Sequence, residues 1–184
     1  ARENDLDPED DYTTAGSESL NFTFKTRVVA RDCTNYGIVS AKKQNAGGIV
    51  GDAEMGSVID CKGFGTVDAE DATAVGGVAG VLDATNLTGT RNAENLKDIT
   101  NKSTVVGNAF VGGITGNLYS TTTENDSNAK TLTGLANQGT VLAGANYQGS
   151  TAGQSRVLGQ FFGGIAGYTQ DVVLANCTST ARGT

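Results

Sequence analysis

The sequence predicts an all-β fold: a parallel β-helix (β-solenoid) of about four to five rungs with insertion loops and an N-terminal β-strand. Three observations predict it. A Gly-Gly-(Ile/Val)-x-Gly motif occurs four times, a second short motif alternates with it, and the basic spacing is 28 residues, from Cys33 to Cys61. Internal periods of this length are typical of stacked repeat architectures. In addition, no segment has the 3.6-residue apolar period of an amphipathic helix.

Composition limits the classes of function. The 184 residues fit one domain, and the absence of histidine excludes His-dependent triads and His-ligated zinc. Lys and Arg are not clustered, so we expect no nucleic-acid partner. No apolar run approaches the roughly 20 residues of a membrane-spanning helix, so no membrane span is predicted. We expect no cofactor.

The first segment, residues 1–16, is predicted to be an acidic flexible tail or linker. Six acidic residues stand against one arginine in the first eleven positions, and the net charge of the chain is −7. The alternative hypothesis is that this segment binds calcium, since acidic residues alternate at Asp5, Asp7, Glu9 and Asp11. Against a calcium site, Pro8 stands where a calcium loop normally has its turning glycine.

Residues 17–31 are predicted to form an N-terminal strand. Apolar and polar residues alternate there, with Leu20, Phe22, Phe24 and Val28 on one face. The strand is expected to cap or pair with the first rung. The alternative is that it is donated to a neighbouring subunit, since Asn176 opens a further rung whose backbone would be free to pair.

Residues 32–184 are predicted to form the β-solenoid repeat domain. The glycine motifs that would build its structural repeat are Gly47-Gly48-Ile49, Gly76-Gly77-Val78, Gly112-Gly113-Ile114 and Gly163-Gly164-Ile165. The aligned repeats contain two further columns of apolar residues, namely Ala30, Val58, Leu96, Leu132, Leu174 and Val39, Val67, Val105, Val141. Small and β-branched residues suit a narrow interior, in which like residues stack on like. We expect the Asn of the second motif to turn a corner in the left-handed region and to bond along the stack.

The three cysteines, Cys33, Cys61 and Cys177, share one column with Ile99 and Leu135. Because cysteine exchanges there with isoleucine and leucine, it is expected to act as a small buried hydrophobe. A disulfide between adjacent rungs, Cys33 to Cys61, is the second interpretation, and a reactive thiol or a metal ligand is the third. The cysteines lack the close spacing of CxxC sites.

Together, the motifs Gly-Gly-Ile-x-Gly and Asn/Asp-Cys-x-Asn-x-Gly-x-Val resemble the GLUG-type glycine-rich repeat. That repeat occurs in secreted and cell-surface bacterial proteins, including large peptidases and adhesin-like proteins. The resemblance covers roughly residues 30–180 and is most specific in the first two units. It implies a β-solenoid and an extracellular location, and it brings no catalytic residues.

Candidate chemistry is sparse outside the repeat. The column Asp32, Asp60, Asp98 and Asn176 is either a carboxylate ladder or, as we expect, a set of turn residues, since adjacent carboxylates repel one another. Five Asn-x-Ser/Thr sequons occur, and Asn86 and Asn125, in predicted loops, are the best candidates for glycosylation. The glycine motifs lack dinucleotide-binding spacing, and a motif present four times favours a scaffold.

The sequence therefore predicts a non-catalytic structural or adhesive protein of the cell surface or extracellular space, which self-assembles head-to-tail or binds a cell-surface or host glycan or protein. The alternative is a carbohydrate-binding or carbohydrate-active module of a larger secreted enzyme. Insertion loops 82–95, 118–131 and 142–160 are the expected contact surface. The nearby aromatic residues with rings able to stack on sugars are Tyr119, Tyr147, Phe161 and Phe162, although Phe162 precedes a glycine motif and is expected in the core.

Overall fold

The structure is a computed structural model, which describes residues 29–53, 57–83, 96–120, 130–145, 160–180 and 182–183. Every regular element in these ranges is a β-strand, and none is a helix. The strands are short because Gly, Asn and Asp, which favour turns, interrupt the β-branched stretches. The predicted all-β class is confirmed for this part of the chain.

The strands follow one another in five passes, which we call windings. The first winding contains β1 (Val29–Arg31), β2 (Thr34–Asn35), β3 (Ile38–Ser40), β4 (Asn45–Gly47) and β5 (Val50–Ala53). The second contains β6 (Ser57–Ile59), β7 (Lys62–Gly63), β8 (Thr66–Asp68), β9 (Ala74–Gly76) and β10 (Ala79–Asp83). The third contains β11 (Leu96–Asn101), β12 (Thr104–Gly107), β13 (Phe110–Gly112) and β14 (Thr115–Tyr119).

The last two windings repeat the pattern. The fourth contains β15 (Lys130–Asn137), β16 (Thr140–Ala143), β17 (Phe161–Gly163) and β18 (Ala166–Gln170). The fifth contains β19 (Val172–Ala175), β20 (Thr178–Ser179) and β21 (Arg182–Gly183).

Successive windings visit four sheets in the same order. Sheet A contains β1, β2, β6, β7, β11, β15, β19 and β20, and sheet B contains β3, β8, β12, β16 and β21. Sheet C contains β4, β9, β13 and β17, and sheet D contains β5, β10, β14 and β18. The strand pairs in all four sheets are parallel. Each winding is therefore displaced from the previous one by one strand spacing, about 4.8 Å.

Equivalent residues of successive windings lie opposite each other. In sheet B the valine column is continuous, with the pairs Val39–Val67, Val67–Val105 and Val105–Val141. In sheet A the pairs are Ala30–Val58, Val58–Leu96 and Leu132–Leu174, and the step between Leu96 and Leu132 follows from the neighbouring pair Lys97–Thr133. Both columns that the aligned repeats predict are confirmed by these registers.

The interior consists of two hydrophobic clusters rather than one. The first lies between sheets A and D and includes Val58, Leu82, Ile99, Leu118 and Leu135. The second lies between sheets B and C and includes Val67, Val75, Val105, Val111 and Val141. The larger Leu and Ile side chains are in the first cluster, whereas the second contains only Val and Ala among its buried members.

The structure corrects the predicted bounds of all three insertions. The ranges 82–95, 118–131 and 142–160 are predicted to be loops, but Leu82 lies in β10, Leu118 in β14 and Leu142 in β16, and Thr131 already lies in β15. Leu82 and Leu118 have no exposed surface and pack in the cluster between sheets A and D. The apolar side chains thus extend the strands into the predicted loops. Residues 84–95, 121–129 and 146–159 lie outside the described residues.

The predicted N-terminal strand, residues 17–31, is described only at its end. There, β1 pairs in parallel with β6, as the other strands of sheet A pair with their neighbours. The remainder of that strand and the acidic segment 1–16 lie outside the described residues.

Candidate functional site

The glycine motifs form the turns that connect sheet C to sheet D. The first glycine of each motif ends a sheet C strand, and the strand of sheet D begins three residues later. In register along the stack lie Gly47, Gly76, Gly112 and Gly163. Backbone hydrogen bonds continue through the turns, where the amide of Ile49 donates to the carbonyl of Val78 at 2.9 Å and the amide of Ile114 to that of Ile165 at 2.9 Å.

Close backbone approach explains the paired glycines. At Gly76 a Cβ atom would collide with the carbonyl oxygen of Ala79, three residues later, because the chain folds back sharply there. At Gly77 it would collide with the carbonyl of Gly113 in the next winding and with the side chain of Asn101 across the interior. The first glycine therefore permits the turn, and it also permits close stacking, since its Cβ would meet Ile114 and Thr115 of the next winding. The second glycine permits the stacking and the approach of Asn101.

The residue after each glycine pair anchors the turn in the core. Val78 and Ile114 have no exposed surface, and all four motif residues at this place belong to or pack against the cluster between sheets A and D: Ile49, Val78, Ile114 and Ile165. The repeated motif is thus a packing element. Gly48, Gly113 and Gly164 occupy the turn beside these residues.

A column of asparagines in sheet A, which we call the asparagine ladder, faces the second glycine of each of the first three Gly-Gly motifs. Its register positions in sheet A are Asn35, Gly63, Asn101, Asn137 and Ser179. Asn101 and Asn137 are buried, and the Nδ2 of Asn101 donates to the Oδ1 of Asn137 at 2.9 Å. Asn101 Oδ1 also accepts the hydroxyl of Ser103 at 2.6 Å. The predicted hydrogen bond between stacked asparagines is confirmed at this step.

The asparagines lie at the corner between sheets A and B, as we expected, but they stabilise it through side-chain hydrogen bonds and not through left-handed backbone. The side-chain oxygen of each accepts the backbone N–H two residues later, in the bonds Asn35 to Gly37 (2.8 Å), Asn101 to Ser103 (3.2 Å) and Asn137 to Gly139 (3.0 Å). Left-handed backbone occurs instead three residues earlier, at Asp32, Asp60, Asp98 and Gly134, with φ of 55°, 52°, 51° and 72°. The prediction of left-handed asparagines in this motif was wrong, although Asn176, in the aspartate column, has φ of 52°.

This left-handed column gives the aspartates a structural role. Side chains of a regular strand alternate between faces, so residues three apart face opposite ways. The left-handed Asp60 breaks that alternation, and both Val58 and Cys61 are fully buried. Gly134, which is also left-handed, breaks the alternation between Leu132 and Leu135, and both leucines are buried. Aspartate tolerates this conformation better than most residues. Gly134 holds the same column position without a carboxylate, so the column requires the left-handed backbone and not the charge.

The cysteine column lies against the cluster between sheets A and D. Cys61, Ile99 and Leu135 are buried, and Cys33 and Cys177 are half-buried at the two ends. All three cysteines are free thiols. Burial raises the pKa of the Cys61 thiol, and the neighbouring Cys33 side chain acts in the same direction.

Two groups of aromatic rings lie on the outer surface. Tyr36, which is 76% exposed, stacks on Phe64 with ring centroids 5.1 Å apart, and Lys102 Nζ lies 5.8 Å from the Phe64 ring. In the other group Phe110 stacks on Phe161 at 5.6 Å, with Tyr168 tilted against both rings. We had not predicted the Tyr36–Phe64 pair, although both residues directly follow the asparagine-ladder position.

Phe162 differs from its expected place. It continues the inward-facing column Ala46, Val75, Val111 of sheet C. Those three residues are buried, whereas Phe162 is 37% exposed. Sheet C ends at β17 among the described strands, so the outer side of Phe162 has no further strand of that sheet upon it.

Several candidate residues lie outside the described part of the chain. These are the calcium candidates Asp5, Asp7, Glu9 and Asp11 and the glycosylation candidates Asn86 and Asn125. Among the described residues, no three or more His, Cys, Asp or Glu side chains are grouped as metal ligands would be. The described residues also contain no helix of the length and apolarity needed to cross a membrane.

Comparisons of the chain with protein-family models, with curated proteins and with solved structures find no match.

Proposed function

We propose that this chain is a β-solenoid with a structural or adhesive role and no catalytic activity. The proposal is supported by the constant order in which the windings visit sheets A to D and by the parallel register of their strands. One observation carries the role: four in-register glycine motifs perform the same packing task in successive windings. A motif used in this way supports a scaffold, whereas a catalytic or cofactor site needs its residues once.

The proposed location is the cell surface or the extracellular space. It is supported by the resemblance of the Gly-Gly-Ile-x-Gly and Asp-Cys-x-Asn-x-Gly motifs to GLUG-type repeats of secreted and surface proteins. A direct test is immunolabelling of intact cells, with and without permeabilisation. Labelling that requires permeabilisation would contradict the proposed location.

We further propose that copies of the chain associate head-to-tail. Sheets C and D end at β17 and β18 among the described strands, and an edge strand of a sheet can pair with a strand of another chain. Phe161, Phe162 and Tyr168 in these strands are each more than a third exposed. A contact between unlike ends of two copies does not close on itself, so it would give filaments.

The segment proposed to pair with a neighbouring copy is the N-terminal strand that the sequence predicts at residues 17–31. The test therefore compares the full chain with a variant that lacks residues 1–28, which include most of this segment. Light scattering at increasing protein concentration, followed by electron microscopy, is expected to show filaments of the full chain and loss of filaments in the variant. Far-UV circular dichroism of both proteins serves as the control for folding. A full chain that remains monomeric at all concentrations would contradict assembly, and a variant that assembles normally would contradict the donated strand.

A second candidate function is carbohydrate binding, as a module of a larger secreted enzyme. The observation in its favour is the exposed Tyr36 ring, held in place by its stack on Phe64, because rigid aromatic rings pack well on sugar faces. A glycan array with the full chain and with the Tyr36→Ala variant tests it. Binding that Tyr36→Ala does not reduce would count against this surface.

A further inference from the structure

Cys33 and Cys61 are neighbours across one strand spacing. The pairs Arg31–Ile59 and Thr34–Lys62 flank them on either side in parallel register. The amide of Asp32 donates to the carbonyl of Ile59 at 3.1 Å, and the amide of Lys62 donates to the carbonyl of Cys33 itself at 2.9 Å. Parallel strands lie about 4.8 Å apart, which falls within the Cα separation of about 4.4–6.8 Å that a disulfide bridges.

Both side chains point toward the same interior. Cys61 belongs to the cluster between sheets A and D, and Cys33 packs against it. The Sγ atom of Cys33 lies 3.3 Å from the carbonyl oxygen of Arg31, and that of Cys61 lies 3.3 Å from the equivalent oxygen of Ile59. The two thiols thus have the same orientation in successive windings.

We propose that Cys33 and Cys61 form a modification site, at which a small disulfide compound converts the two thiols into a covalent link between the first and second windings. Cys177 is excluded from this link by its place in the stack. Ile99 and Leu135 fill the column between Cys61 and Cys177, so about three strand spacings, roughly 14 Å, separate these cysteines.

The reaction is a thiol–disulfide exchange in two steps. The thiolate of Cys33 attacks one sulfur of the small disulfide, whose S–S bond breaks and releases one small thiol. The thiolate of Cys61 then attacks the Cys33 sulfur, which forms the Cys33–Cys61 bond and releases the second small thiol. Two electrons pass from the protein to the small disulfide, and the two cysteine protons are balanced by the two thiols released.

The burial of the two cysteines sets the order of the steps. Cys33 is half-buried and accessible to a small molecule, whereas Cys61 has no exposed surface. Cys61 therefore acts as the resolving thiol, which needs only to reach its neighbour. The link would hold the first described winding, which has a partner winding on one side only, to the rest of the stack.

The experiment treats the purified full chain with oxidised glutathione, blocks the remaining thiols by alkylation, and maps the tryptic peptides by mass spectrometry without reduction. We expect peptides 32–42 and 44–62 to be joined by a disulfide, and Cys177, in peptide 157–182, to be alkylated. The midpoint of thermal unfolding is expected to be higher for the oxidised chain than for the reduced one.

Cys33→Ser and Cys177→Ser provide the matched controls. The linked peptides and the shift in unfolding midpoint should persist in Cys177→Ser and disappear in Cys33→Ser, whose reduced form should unfold like the reduced native chain. The peptide map of the native chain decides the matter even if a variant does not fold. Three alkylated thiols, a stable glutathione adduct on Cys33, a link to Cys177 or chain dimers on a non-reducing gel would each overturn the proposal.

Discussion

At the scale of single residues, the absence of a side chain is as important as its presence. Gly77 lies where the turn of the second winding meets both the next turn and the side chain of Asn101. Gly37, by contrast, has its nearest neighbour, Asn35 Oδ1, 3.4 Å from where a Cβ would stand, an ordinary contact. The two glycines thus differ in whether the stack allows a methyl group.

We predict that Gly77→Ala lowers the free energy of unfolding by about 1–3 kcal/mol, because backbone and buried side chain must both move to admit the methyl group. Gly37→Ala, the matched control, is expected to change it by less than about 0.5 kcal/mol. Chemical denaturation followed by circular dichroism measures both. Equal effects of the two substitutions would show that close stacking is not what requires Gly77.

The aspartate column gives a second prediction at this scale. Asp60 has φ of 52°, and Gly134 holds the equivalent place in the fourth winding. Asp60→Gly should therefore leave stability nearly unchanged, whereas Asp60→Val should lower it by about 1–2 kcal/mol, since a β-branched residue is strained in the left-handed region. If Asp60→Gly proved as damaging as Asp60→Val in urea unfolding, the carboxylate rather than the backbone would be the important feature.

At the scale of the strands, register determines which residues face the interior. Thr66 pairs with Thr104 and Val67 with Val105 in sheet B, so these strands occupy equivalent places. Because side chains alternate along a strand, a shift of one residue would exchange the buried and exposed sets. Equivalent strands should consequently be exchangeable only in register.

Deletion of residues 67–104 tests this, because it joins Thr66 to Val105 and removes one whole period while Val105 takes the buried place of Val67. We expect a folded protein with a lower unfolding midpoint, since one interface between windings is lost. A second variant lacks only residues 67–103, so Thr104 instead of Val105 takes the buried place of Val67. This variant is out of register by one residue and should unfold at a lower temperature than the first. Thermal unfolding that favours the 67–103 variant would contradict the observed register.

At the scale of the whole molecule, the windings enclose two separate apolar clusters with the asparagine ladder beside the second glycines. Asn101 is buried, yet its side chain is bonded to Asn137 and Ser103. Buried amides of this kind are stabilising only when their hydrogen bonds are made. The ladder therefore depends on neighbouring windings, and the windings stabilise one another through it.

The sequence reveals what stacks along the molecule better than what packs across it. Repetition made the Val39 and Ala30 columns predictable, because in-register stacking forces like residues into the same place. The approach of Gly77 to Asn101 was not predictable, since it depends on how distant parts of one winding face each other. The left-handed aspartates were missed because Asp also favours ordinary turns, and only Gly134 in their column reveals the backbone requirement.

The most direct test of the central claim, that equivalent residues lie side by side in successive windings, is the set of cross-strand nuclear Overhauser effects in sheet B. Backbone protons are expected to connect β3 to β8, β8 to β12 and β12 to β16, through the column Val39, Val67, Val105 and Val141. Contacts that instead joined consecutive strands of one winding as antiparallel hairpins, such as β3 with β4, would contradict it.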